Sequence, residues 1–172
     1  MHDRDGARLD TLLSLTGIPT ATGKEHRVVE FVERWAAARS PRFALDRDAH
    51  GNLLLRPAWL NTETTPSVLL TAHLDHPAFV VERIGGDGRV ELSFRGGVRQ
   101  EYFDRRPAIV IHRSEGGPVR ATVVSASPAS ETTAQRTCVA RAEGDTGGVE
   151  PGDVAVWDLP AARIADELLS AP

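Results

Sequence analysis

The chain has 172 residues with 20 basic and 24 acidic side chains, a net charge of -4 and a single cysteine, Cys138. Charges of both signs are scattered along it, which argues against a nucleic-acid partner, and one cysteine excludes both an internal disulfide and a thiolate-rich zinc site. The N-terminal residues MHDRDGARLDTLLSLTG lack the apolar core of a signal peptide, and no window is long enough for a membrane span, so a cytoplasmic protein without a membrane partner is expected.

In chain order, ARLDTLLSLTG places Leu9, Leu12, Leu13 and Leu15 at mostly helical spacing, and Gly17 and Pro19 end that helix. Thr22 and Glu25 have the spacing of a capping box, and Val28, Phe31, Val32 and Trp35 recur every three to four residues, which predicts an amphipathic helix from about Lys24 to Arg39. Residues Arg42 to Arg56 read as two short strands around the turn Asp46, Asp48, His50, Gly51, Asn52. That turn imitates the start of a calcium loop, but the position that needs a bidentate glutamate holds Pro57, so a hairpin is the better reading. After the polar loop NTETTP, SVLLTA is apolar without alternation, as in a strand covered on both faces of an α/β sheet.

From Pro77 the pattern turns all-β. AFVVERI, GRVELSFRG, PAIVIHR, PVRATVVSA, TCVARAE and DVAVWDL are separated by Gly- and Pro-rich turns and show no helical period, which predicts a small antiparallel sandwich or barrel. The chain therefore divides into an α/β part over 1–76, a β module over 77–159 and a short segment, 160–172, read as a linker. The fold class is α/β, with a small all-β insert.

SVLLTA delivers His73 and, two residues on, Asp75; imidazole suits zinc or cobalt, and a neighbouring carboxylate orients such a ligand. Two polar residues after a strand are also common in ordinary loops, so the tripeptide HLD by itself leaves a plain strand end open. His2, His26 and His112 read as solvated or packed side chains, and Cys138 as a small apolar residue within a β run. Ser125, Ser127 and Ser130 fall in a loop without the strand-to-helix elbow that serine hydrolases use.

The ordered set LLSLTGIPTATGKEHRVVEFV, DAHGNLLL, VLLTAHLDHPAFVVERI, GRVELSFRGG and VEPGDVAVWD resembles the co-catalytic metallo-aminopeptidases of the glutamyl-aminopeptidase or tetrahedral-aminopeptidase type, sometimes labelled endoglucanases, over essentially the whole chain. The resemblance implies an α/β catalytic domain with a mixed sheet, interrupted after the HxD loop by a β-barrel used in assembly. It also implies a homo-oligomer formed through that module, a peptide substrate cut at its N-terminal bond, and two divalent ions, zinc or cobalt. By resemblance His73 is a ligand of one ion and Asp75 the supporting catalytic carboxylate, while His76 departs from the family pattern and receives no role.

The family's Asp-Asp-x-x-Gly motif and later glutamates have no counterpart here, and Asp166 and Glu167 in ADELL lack the glycine and helix of that motif. The expectation is an N-terminal portion that binds zinc weakly and hydrolyses nothing alone. The competing reading is a non-catalytic assembly or binding protein that uses the β module. A deacylase or carboxypeptidase fits less well, because those families place a different insert.

Overall fold

The computed structural model describes residues 2–60, 68–128, 135–160, 163–165 and 168–170. The loop NTETTP, Ser130, Asp166 and Glu167 lie outside the described residues. Helix α1 runs His2–Thr16 and stops at Gly17, whose amide donates to the Leu13 carbonyl. Helix α2 spans His26–Ala37, with Val28 and Ala36 buried on its inner face. It hands that face on to strand β1 (Phe43–Arg47) through a Trp35–Phe43 ring contact at 5.6 Å.

Strand β2 (Leu53–Pro57) pairs antiparallel with β1 from Phe43↔Pro57 to Arg47↔Leu53, the expected hairpin. Its turn is tied by Asp48. One carboxylate oxygen accepts from the amides of His50 and Asn52 and the other from the Asn52 side chain. The Asn52 side-chain bond is the main reason the Asp48 carboxyl sits below its ordinary pKa.

The expected strand SVLLTA is corrected. Ser67 lies outside the described residues, residues 68–76 carry no strand ladder, and Val68, Leu69 and Leu70 are 88%, 73% and 90% exposed. The physical reason is partnership: an apolar run of this kind becomes a strand only when neighbours pair its edges and cover both faces, and the described residues place nothing against it.

The β module is a closed barrel of β3 (Ala78–Ile84), β4 (Arg89–Arg95), β5 (Ala108–His112), β6 (Val119–Ala126), β7 (Gln135–Ala142) and β8 (Val154–Trp157), in the order β3-β4-β7-β6-β5-β8. Every pairing is antiparallel, with register shifts between Val81 and Arg83 and between Val123 and Ser125. Closure removes the open edges that the N-terminal part retains.

Alternation decides what fills the barrel. Val90, Leu92 and Phe94 of β4 point inward with Phe79, Val81, Ile109, Ile111, Val123, Cys138 and Ala140, all 0–1% exposed. Cys138 packs there as the small apolar residue expected, and burial pushes its thiol up to about 11.

A helix that the sequence did not announce, α3 (Gln100–Asp104), closes one end of the barrel with Phe103. Five residues are too few to show a helical period, and tertiary contacts hold this helix in place. Phe103 meets Phe94 at 4.9 Å and Trp157 at 5.5 Å between ring centroids. The Arg136 guanidinium lies 4.9 Å over the Phe103 ring and donates to the Val98 carbonyl and the Gln100 side chain. Ser125 lies on β6 rather than in a loop, and the Ser127 hydroxyl accepts from the Thr137 amide.

Where the sequence suggested only a linker, β9 (Arg163–Ala165) and β10 (Leu168–Ser170) form a short antiparallel pair. Part of the barrel's outer face is covered by the N-terminal residues. Ala78, Val80 and Val154 pack under Ala21, which fastens the loop between α1 and α2 onto β3 and β8.

Because the large core lies wholly inside the barrel while residues 68–76 are largely exposed, limited proteolysis is expected to cut first within 68–76 and leave a resistant fragment beginning near Pro77. Mass spectrometry of the digest identifies the first cut. Equal lifetimes for the N-terminal part and the barrel would show that the two are stabilised alike.

Candidate functional site

The site is built where the loop after residue 72 meets the loop before α2. His73 extends into solvent, its side chain 80% exposed, and Asp75 is 30% exposed beside it. The imidazole Nδ1 lies 2.9 Å from the Asp75 carbonyl oxygen and 3.1 Å from its Oδ1. Both partners can only accept when the carboxyl is ionised, which favours the tautomer with its proton on Nδ1 and a lone pair on Nε2. That tautomer suits a metal ligand that binds through Nε2.

The other oxygen of Asp75 accepts a 2.6 Å hydrogen bond from the Thr22 hydroxyl, 53 residues earlier. This bond is the main cause holding the Asp75 carboxyl below its ordinary pKa, and partial burial opposes it. The capping box expected of Thr22 and Glu25 is corrected accordingly. Neither side chain caps α2; the Thr22 hydroxyl is spent on Asp75, and Glu25 Oε1 accepts instead from the Gly23 amide at 2.7 Å.

The barrel reaches the same loop through Arg95 at the end of β4. Its guanidinium donates to the Thr22 carbonyl at 2.7 Å and faces Glu82 at 3.8 Å. Gly23 makes this approach possible: its φ is +79°, and a Cβ there would stand 3.2 Å from Arg95 Nη1.

His76 is exposed and takes part in none of these contacts, and His50 sits in the β1–β2 turn. His112 ends β5, where burial and the neighbouring Arg27 hold its imidazole pKa below the ordinary value. Among the described residues no three His, Cys, Asp or Glu side chains converge as a metal cage. The donors present suit one ligand and its orienting carboxylate; they are too few for a dinuclear centre. Thr22 and Arg95 were missed by the sequence reading because each lies far along the chain from His73, and Thr22 carries a local signal for a different role.

An M42 glutamyl aminopeptidase family model matches residues 51–171. The fold is similar to that of the aminopeptidase APDkam598 from the archaeon Desulfurococcus kamchatkensis, with a TM-score of 0.64 and 20% sequence identity over 94% of this chain. The chain spans 45% of the length of that archaeal protein. No curated protein sequence matches it. Among the described residues no helix is long and apolar enough to cross a membrane.

Proposed function

The chain belongs to the M42 glutamyl aminopeptidase family, and on that premise we propose that it supplies the first metal ligand, His73, and the supporting carboxylate, Asp75, to a cytoplasmic aminopeptidase centre acting on the N-terminal bond of peptides. The single observation that carries this reading is the approach of His73 Nδ1 to the Asp75 carbonyl at 2.9 Å and to Oδ1 at 3.1 Å, which favours a proton on Nδ1 and leaves Nε2 available. Zinc or cobalt, once bound, would activate water and polarise the scissile carbonyl.

The work of this chain's own residues is narrower. Asp75 orients the imidazole and keeps its proton on Nδ1, Thr22 holds the second Asp75 oxygen, and the barrel anchors the loop. A dinuclear centre needs roughly three or more protein donors per ion. Beside Asp75 the described residues bring one imidazole and no cluster of three donors, so we assign these residues zinc binding without turnover.

Calorimetry on the chain and on His73→Ala tests this. Expected is zinc binding weaker than micromolar, lost in His73→Ala, and no release of an aminoacyl group from a chromogenic amide. Micromolar or tighter zinc binding with turnover abolished by His73→Ala would overturn it.

A second reading is favoured by the self-contained barrel core: a non-catalytic assembly protein that self-associates through the barrel's outer surface, where Tyr102 and Val124 are exposed. Sedimentation as a monomer at high concentration would remove that reading.

A further inference from the structure

The contacts from β4 to His73 form an unbroken series. Glu82 faces the Arg95 guanidinium at 3.8 Å and also accepts from the Ser93 hydroxyl at 2.6 Å; Arg95 donates to the Thr22 carbonyl at 2.7 Å; the Thr22 hydroxyl donates to Asp75 at 2.6 Å; Asp75 accepts from His73 Nδ1. Arg95 turns Nη2 to Glu82 and Nη1 to Thr22, Thr22 uses its carbonyl and its hydroxyl, and Asp75 gives Oδ2 to Thr22 and Oδ1 to His73, while Glu82 Oε1 faces Ser93 and Arg95 together. The loop that carries Thr22 is also seated on the barrel through Ala21, which is fully buried against Ala78, Val80 and Val154.

We propose that Thr22 and Arg95 are positioning residues that transmit the rigidity of the barrel to the His73 imidazole, so that the barrel sets the direction of Nε2. The physical need is plain. His73 and Asp75 sit on a stretch with no strand ladder, where backbone pairing fixes nothing, and an exposed imidazole there would otherwise sample several orientations and both tautomers. Held only by the Asp75 backbone carbonyl, His73 would keep one of its two Nδ1 acceptors. The carboxylate that supplies the second is itself free to rotate unless something outside the loop holds it. Thr22 is that outside group, and Arg95 holds Thr22 in turn.

The fixed φ of Gly23 adds to this, because it lets the guanidinium lie against the loop rather than beside it. The inference rests on the ligand role proposed above for His73, but the orientation it describes exists without a metal.

The test is therefore metal-free. With histidine labelled at both ring nitrogens, long-range proton–nitrogen correlation spectra report the tautomer of His73, identified by its loss in His73→Ala. They are recorded at a mildly alkaline pH of about 8.5. In the unsubstituted chain Nδ1–H is expected to dominate. Thr22→Val removes the hydroxyl at nearly constant shape and should lower the Nδ1–H to Nε2–H ratio about three- to tenfold, the range an ordinary hydrogen bond sustains. Thr22→Ser, which keeps the hydroxyl, should restore the ratio.

Barrel amide dispersion in the same samples reports folding. Should Thr22→Val lose it, Arg95→Met carries the test, with a shift in the same direction. An unchanged ratio in the folded Thr22→Val or Arg95→Met chain would overturn the proposal, as would failure of Thr22→Ser to restore it, since the hydroxyl would then not be the active group. Zinc chloride is added last. No movement of the His73 Nε2 resonance would count against the ligand role while leaving the relay intact.

Discussion

Replacing Phe94 with alanine is expected to destabilise the chain by about 3 to 5 kcal/mol, the range for truncating a fully buried phenylalanine. Phe94 is 0% exposed and stands at the centre of an aromatic cluster, meeting Phe79 and Phe103 at 4.9 Å and Trp157 at 5.7 Å between centroids, all edge to face. Two losses combine. Removing the ring forfeits the free energy of its burial and leaves a cavity that neighbours fixed on a closed ladder cannot collapse to fill. It also deletes edge-to-face contacts worth about 0.5 to 1.5 kcal/mol per pair beyond area burial. A third consequence follows from position: Phe103 holds α3 against the barrel end, so losing its partner should also loosen that short helix. Phe94→Leu keeps most of the volume and should cost under about 1.5 kcal/mol plus the aromatic contacts. Since small domains hold only about 5 to 15 kcal/mol in total, the alanine variant should unfold at clearly lower denaturant. Urea titration followed by tryptophan fluorescence measures both variants. A change below about 1 kcal/mol for Phe94→Ala would mean that the cluster is not the mechanical centre of the barrel.

Gly96→Ala is expected to cost about 2 to 3 kcal/mol through backbone strain and collision together. Gly96 follows β4 with φ at +137°, a region that residues with a Cβ scarcely enter. A Cβ built there would stand 2.8 Å from Pro77 Cβ and 2.9 Å from Pro77 Cα. Both atoms belong to a rigid ring or to the main chain, so no flexible tip can swing aside. The backbone around Pro77 must move, and Pro77 is two residues past Asp75, at the entry to β3. The substitution should therefore disturb the His73 loop as well as stability, through the same stretch of chain. Gly97 supplies the control, because a Cβ there meets nothing within 4 Å and no positive φ is involved. Gly97→Ala should be nearly neutral. Equal shifts of the urea midpoint for the two variants would remove the collision argument.

Much of this architecture was legible along the chain because its causes are local. Alternation in RVELSFR and AIVIH put Val90, Leu92, Phe94, Ile109 and Ile111 on one face, and a run of such strands with glycine turns has few solutions besides a barrel or sandwich. The β1–β2 hairpin was equally plain, since Asp48, Gly51 and Asn52 are the residues its turn chemistry needs. The tripeptide HLD by itself fitted a plain strand end as readily as a metal loop, so His73 and Asp75 drew their proposed roles from the motifs around them. The ordered motifs of the whole chain then placed that tripeptide in its family.

The sequence by itself determined which residues alternate, where turns fall and which imidazole stands next to a carboxylate, since each of these depends on neighbours only a few residues away. Tertiary structure alone decided the rest. It chose closure of the six strands in the order β3-β4-β7-β6-β5-β8 over a sandwich, it put a short helix on the barrel end, and it left residues 68–72 without strand partners. It also turned Thr22 from a helix cap into a hydrogen-bond donor to Asp75. The physical reason is the same in each case: a hydrogen bond or a buried ring is satisfied by whichever group the fold brings within reach, and a partner 53 residues away leaves no trace in local periodicity.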